Sequence, residues 1–314
     1  MPSTPTMQAD APSALPRAVE RAPKGAPCKP ATTVKVGPLH FSSPGLWLST
    51  HLIPRLEKFR SGCRTMQTRS DIEIWLVDLE KSAEALEMLE GDAPRLAADE
   101  YDRINAINDL RERRHRLAAY TALRVVLERI AGPGVRGLPY VRRPGGKPRL
   151  DLGGAEFSLS HVDGLALIGV SSALPLGVDL ERMRPVKMAA RRLVEISAIG
   201  AGLSDTPLPA LGTERTFLQA WARLEAFAKA RGRGLAQTLA DVGVRGRERR
   251  LLSPADLEIR ARRLAHDAGI TVHDVKLSPT LHGAVGAPRG VRPMRARAFP
   301  ADHAGIVQLL ADPG

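Results

Sequence analysis

Cysteine is nearly absent from this chain. The 314 residues contain two, Cys28 and Cys63, both near the amino terminus. That excludes a disulfide framework and a thiol nucleophile for the rest of the chain, and a reducing, cytoplasmic compartment is the simplest expectation. Aromatic residues make up 4% of the sequence, and no basic or aromatic nucleic-acid reader motif is present. No continuous apolar run is long enough for a membrane span or a secretory leader. Acidic residues are outnumbered 34 to 46 by Lys and Arg, giving a net charge of +12. Such a surface favours polyanionic partners: nucleic acid, anionic lipid, a phosphorylated cofactor or an acidic protein.

What is present is an ordinary globular composition, 43% hydrophobic and 25% charged, long enough for one large domain or two compact ones. Residues 1–70 are rich in Pro, Ala, Ser, Lys and Arg without a sustained apolar period, which predicts a disordered extension. An alternative expectation is that Met66 is the native start, so that residues 1–65 lie outside the natural protein. From Asp71 the pattern turns globular. Ile72 to Val77 alternate as a half-buried strand, and a helical stretch covers Glu80 to Leu89. A long helix is predicted from about Asp99 to Ile130, with Leu117, Tyr120, Leu123, Val126 and Leu127 on one face. Strands are predicted at Phe157–His161, Leu165–Ser171 and Leu176–Glu181, with Pro175 between the last two. A helix follows near Met188 to Ile196, then a Gly/Pro-rich loop at about 200–212, then a strong helix from Glu214 to Arg231 stopped by Gly232 and Gly234. Ile270–Leu277 and His282–Ala287 read as strands, and residues 288–314 as a loose tail. Strand-helix-strand order occurs twice, an α+β arrangement of two related lobes at 71–175 and 176–287.

The chemistry concentrates in two segments, Gly177-Val-Asp-Leu-Glu181 and Trp221-Ala-Arg-Leu-Glu-Ala-Phe-Ala-Lys229. On a strand Asp179 and Glu181 point to one face with Cα atoms roughly 6.5 Å apart. On a helix Glu225 and Lys229 share a face. Three carboxylates converging beside one ammonium would suit a hard divalent cation and a phosphate group. Taken singly, the acidic pair also reads as a solvated strand edge, and Glu225–Lys229 as an ordinary i, i+4 pair.

Together with Gly146-Lys-Pro148, Phe157-Ser-Leu-Ser-His161 and Ala230-Arg-Gly-Arg-Gly-Leu235, these segments resemble, in order and approximate spacing, the surfactin-synthetase-activating type of 4′-phosphopantetheinyl transferase. The resemblance covers roughly residues 71–287. It implies a fold of two pseudo-twofold-related lobes with coenzyme A and magnesium in the cleft between them. It also implies transfer of the 4′-phosphopantetheine arm to a serine of an apo acyl or peptidyl carrier protein, releasing adenosine 3′,5′-bisphosphate. The carrier classes implied are those of fatty-acid, polyketide and nonribosomal peptide synthesis. Coenzyme A is polyanionic and such carriers are acidic, in keeping with the basic composition. Asp179 and Glu181 match the family's metal-binding pair, and Glu225 its third metal-associated carboxylate and general-base candidate. Lys229 matches the diphosphate-contacting lysine, Ser160 and His161 match phosphate contacts, and Lys147 matches a residue near the 3′-phosphate and adenine. Arg103, Arg124 and Arg142 fall where cofactor-binding cations occur. Phe217, Leu218 and Trp221 read as packing residues. Leu224 stands where the family usually has Lys, and Leu193-Val-Glu-Ile replaces an aromatic-Ser-x-x-Glu stretch. Two other readings stay open: a non-catalytic binder of coenzyme A or carrier protein with the same fold, and, from net charge alone, a nucleic-acid-binding protein. The transferase reading expects no nucleic acid, no membrane and a monomer.

Overall fold

Alternating apolar residues from Glu73 to Asp78 form β1, the strand from which the first half of the fold is built. The computed structural model describes residues 72–142, 146–150, 154–244, 252–293 and 295–312. The expectations for residues 1–70, and the idea of a start at Met66, therefore fall outside the described residues. The Asp78 carboxylate caps α1 (Leu79–Asp92) by accepting from the Lys81 amide. The single long helix predicted from Asp99 is two helices, α2 (Ala98–Asn105) and α3 (Leu110–Ala131). Asp109 interrupts the run because its side chain accepts from the Glu112 amide and starts α3 as an N-cap. Gly132, at φ 82°, ends it.

Two short strands, β2 (Tyr140–Val141) and β3 (Arg149–Leu150), pair antiparallel on either side of the Gly-Lys-Pro turn. Next come β4 (Glu156–Val162), β5 (Leu165–Ser171) and β6 (Gly177–Arg182). The helix after β6, α4, spans Ala190–Gly202, entering the stretch read as loop. Thr213 caps α5 (Glu214–Arg231), and Gly232 closes it in the left-handed region at φ 65°. Two further helices were not read from sequence: α6 (Leu235–Val242) and α7 (Pro254–Asp267). The second sheet is completed by β7 (Ile270–Val275) and β8 (Leu281–Pro288).

The expectation of a loose tail beyond residue 288 is corrected. β9 (Arg297–Ala298) pairs parallel to β1, and Asp302 caps α8 (His303–Ala311), which lies on α1 and α3. Apolar anchoring holds this segment down: Phe299 packs edge-on to Trp75 with ring centroids 6.4 Å apart, and Ile306 is fully buried.

The sheets run β4-β5-β1-β9 and β6-β8-β7, so the fold is mixed α+β. α3 and α1 cover one face of the first sheet, and α5 and α4 form the core over the second. The inner faces meet in a third apolar cluster that includes Ile74, Leu167, Val178 and Val285. Two glycines let α5 approach the second sheet closely. A methyl group on Gly177 would sit 2.2 Å from the Ala226 carbonyl oxygen, and one on Gly286 would sit 2.9 Å from the same atom. No described helix is long and apolar enough to cross a membrane.

Candidate active site

Strands β4 and β6 lie side by side, each on the edge of its own sheet, and serine hydroxyls stitch them together. The Val178 amide donates to Ser158 Oγ (3.0 Å) and the Leu180 amide to Ser160 Oγ (3.3 Å). Ser160 Oγ in turn donates to Asp179 Oδ1 at 2.8 Å. The alternation of Phe157-Ser-Leu-Ser-His161 gives the serines their common direction, toward β6. α5 closes over this seam, and Lys229 Nζ donates to Asp179 Oδ1 (2.7 Å) and to the Val178 carbonyl (3.1 Å). Asp179 is thus buried and held by two donors from two different elements. The close approach at Gly177 is what puts Lys229 within reach.

Glu225, one turn before Lys229, and Glu181, two residues beyond Asp179, feel that carboxylate. Burial raises the Glu225 carboxyl above the usual range; Lys229 opposes the rise and Asp179 adds to it. Burial also raises Glu181, and both Asp179 and Glu225 reinforce it. Among the described residues no group of three His, Cys, Asp or Glu side chains stands close enough to hold a metal ion. The donor chemistry nonetheless fits a hard cation. The three side chains are oxygen donors, and a bound divalent charge would offset the like-charge repulsion that adds to the effect of burial at Glu181 and Glu225.

A cavity of about 380 Å³ opens beside the seam, lined on one side by Glu225, Lys229 and Arg233. Its opposite wall is apolar and aromatic, with Tyr120, Leu123, Tyr140, Phe157 and Leu159. The Tyr140 and Phe157 rings are 4.7 Å apart. The Tyr140 hydroxyl is buried without a hydrogen-bond partner among the described residues. His161 lines the cavity as well, its pKa lowered by burial and then by Arg116 nearby.

Of the expected cofactor contacts, Arg103, Arg142, Lys147, His161 and Lys229 line this cavity. Arg103 forms an exposed ion pair with Asp99 at 3.0 Å. Lys147 is pinned by the Leu176 carbonyl (2.9 Å) and Glu156 (3.3 Å), and burial lowers its pKa. Arg124 does not belong with them. It is fully buried behind the wall, paired with Glu100, donating to the Val135 and Leu138 carbonyls, and stacked 4.0 Å from the Tyr140 ring centroid. With its donors engaged and its side chain fully buried, it supports the wall from behind. Ser160 is likewise absent from the cavity lining, because its hydroxyl is committed to Asp179 and to the Leu180 amide.

Leu224 is fully buried in the core beneath α5, so the cation expected at that position is not missing from the cavity wall. Arg223 cannot replace it: it is fully buried and bidentate to Asp274 at 2.7 and 2.6 Å. Phe217 and Leu218 are buried, and Trp221 stacks on Phe217 at 5.8 Å, as packing residues should. Tyr120 and Tyr140 line the cavity without being marked by any of the motifs. Their signal is faint, since Tyr120 reads as part of an ordinary apolar helix face and Tyr140 sits in a two-residue strand.

No family model matches the chain. It is 30% identical over 179 residues to the 4′-phosphopantetheinyl transferase HetI of Nostoc sp., covering 53% of this chain and 71% of the relative. It is also 30% identical over 131 residues to the 4′-phosphopantetheinyl transferase psf-1 of Bacillus pumilus, covering 41% of this chain and 52% of the relative.

Proposed function

Because the chain belongs to the 4′-phosphopantetheinyl transferase family, we propose that it moves the 4′-phosphopantetheine arm of coenzyme A onto a serine hydroxyl of an apo acyl or peptidyl carrier protein. The observation that carries this reading is the joint presence of Glu225 and Lys229 on one wall of the cavity, with Lys229 anchored on Asp179. Coenzyme A lies in the cavity, its adenine against Tyr140 and Phe157 and its phosphates toward Lys147, His161, Arg103 and Arg142. Glu225, with its raised proton affinity, takes the proton from the carrier serine. The serine oxygen bonds to the phosphorus that bears the pantetheine arm, and the bond from that phosphorus to the bridging oxygen of the diphosphate breaks. Adenosine 3′,5′-bisphosphate leaves with the bridging oxygen, and Lys229 offsets the charge that develops there. Asp179, Glu181 and Glu225 are the side chains that would hold magnesium, which when bound neutralises the diphosphate. Ser160 keeps the Asp179 carboxylate oriented.

Within the family we assign the chain to the surfactin-synthetase-activating type, acting as a monomer. Its lobes, 71–175 and 176–287, are related by a pseudo-twofold axis. A long helix over a sheet in each half, with the strands β4, β5 and β1 antiparallel in one and β6, β8 and β7 antiparallel in the other, supports that relation. Incubation with coenzyme A, magnesium and apo carrier proteins of several classes, followed by intact-mass measurement, tests the activity. A carrier that gains the mass of one phosphopantetheine is expected, and no gain on any carrier class would overturn the reading. Asp179→Ala should abolish transfer or sharply raise the magnesium requirement, and an unchanged magnesium titration would remove Asp179 from the metal site.

A further inference from the structure

Helix α2 contributes Glu100 and Arg103, three residues apart on one face, to the lining of the cavity beside the seam. Its attachment to the rest of the fold is polar. Ile104 is the one apolar residue that α2 buries, and among the described residues Ile104 belongs to none of the three apolar clusters. Two clasps hold the helix instead. The Tyr101 hydroxyl donates to Glu90 Oε1 near the end of α1 (2.6 Å), and the fully buried Arg124 of α3 pairs with Glu100. An element with so small a share in the apolar core has low local stability, so a few polar contacts decide where it sits.

Three segments meet at Arg124. Its Nε donates to Glu100 Oε2 at 3.0 Å, the same oxygen that accepts from the Ala97 amide at the start of α2 (3.0 Å). Nη1 donates to the Val135 carbonyl (3.1 Å) and Nη2 to the Leu138 carbonyl (2.7 Å), both in the turn between α3 and β2. The guanidinium carbon lies 4.0 Å from the ring centroid of Tyr140, the aromatic residue that β2 gives to the cavity. A planar fork with five donors can hold all of these partners at once, which a lysine ammonium cannot. A buried ion pair adds little net stability over well-packed apolar residues of similar volume, so stability alone does not account for this one. What it does select is an arrangement, the one that brings Arg103 of α2 and Tyr140 of β2 to the same cavity.

We propose that Arg124 is a positioning residue for the coenzyme: from behind the wall it clamps α2 and Tyr140 in one arrangement, and that arrangement sets the affinity of the cavity. The consequence for coenzyme affinity rests on the transferase reading, whereas the clamp on α2 does not. The test compares the full chain with Arg124→Met and with the double variant Glu100→Gln/Arg124→Met, which leaves neither buried charge unpaired. Hydrogen exchange without ligand reads the clamp: in the double variant the α2 amides should lose about tenfold in protection relative to those of α1. Transfer kinetics read the cavity: in both variants KM for coenzyme A should rise about tenfold with kcat within about twofold of the native value. The double variant should unfold closer to the native midpoint than Arg124→Met while its KM stays raised, which separates position from stability. Arg129→Met breaks the pair with Glu73 on the same helix, away from the cavity, and should lower stability with both readouts unchanged. A native chain that binds no coenzyme A, with α2 protection still falling in the double variant, would refute the transferase reading and support the clamp. Unchanged α2 protection, a KM that returns to the native value in the double variant, or an equal rise in KM for Arg129→Met would each overturn the proposal.

Discussion

Helices α3 and α5 each carry a fully buried arginine held by a carboxylate on a neighbouring element, yet they line the cavity beside the seam differently. On α3, Arg124 pairs with Glu100 of α2, and the pocket receives the ring of Tyr120 and the side chain of Leu123. On α5, Arg223 pairs with Asp274 of β7, and the pocket receives Glu225 and Lys229. One helix therefore supplies an apolar wall and the other a charged one. The buried pairs lie outside both walls. Position along a helix decides whether an arginine holds the scaffold or faces a ligand, and residue type alone does not.

The sharpest way to break this contrast is at Glu225. Glu225→Gln is nearly isosteric and should lower transfer about a hundred- to ten-thousand-fold while coenzyme A binding persists. Single-turnover kinetics and calorimetry on the same variant would check it, and near-normal turnover would remove the general base from α5. Next in size, Arg124→Met should cost about 3–5 kcal/mol, because it leaves the buried Glu100 carboxylate without its partner. Denaturant unfolding reads that loss. A variant of unchanged stability but raised KM for coenzyme A would instead make Arg124 a ligand contact. Leu224→Lys, which inserts the residue the family usually carries, should destabilise by about 3 kcal/mol through burying an unpaired ammonium, with no gain in coenzyme A affinity. The smallest effect is expected at Arg103. Its exposed pair with Asp99 is worth about 0.3–0.5 kcal/mol, so Arg103→Gln should barely move the unfolding midpoint and act mainly on the KM for coenzyme A.

Much of this was legible in the sequence, and the lapses have physical causes. β1, β4, β5, β6, β7 and β8 fall where alternation of apolar residues placed them, and α5 has the predicted ends because Thr213 and Gly232 are strong caps. Apolar periodicity continues across the break between α2 and α3 and hides it, although Asp109 has the side chain of an N-cap. α7 carried an explicit start signal, Ser253-Pro-Ala-Asp256, a capping box with proline at the first position. β9 could not be read locally: two residues become a strand only because β1 offers an edge. In the site, the motif segments coincide with β4, β6 and α5, the elements that form the seam, since strand alternation and helix spacing are local rules. Which of several arginines reaches the pocket depends on packing between distant elements, so Arg103 and Arg124 looked equivalent in sequence and are not.

The pairing of β9 with β1 also sets a timetable for synthesis. β1 is among the first described segments to leave the ribosome and pairs with β5 within the next hundred residues, but its other edge waits for Arg297 and Ala298. Until then the side of Trp75 that Phe299 will cover stays open, and an open strand edge beside an apolar patch invites intermolecular pairing. A transcript stopped before residue 297 would yield a product that holds every side chain assigned to transfer yet is prone to aggregate. Its failure would appear as lost soluble protein, with the specific activity of the remaining soluble fraction preserved.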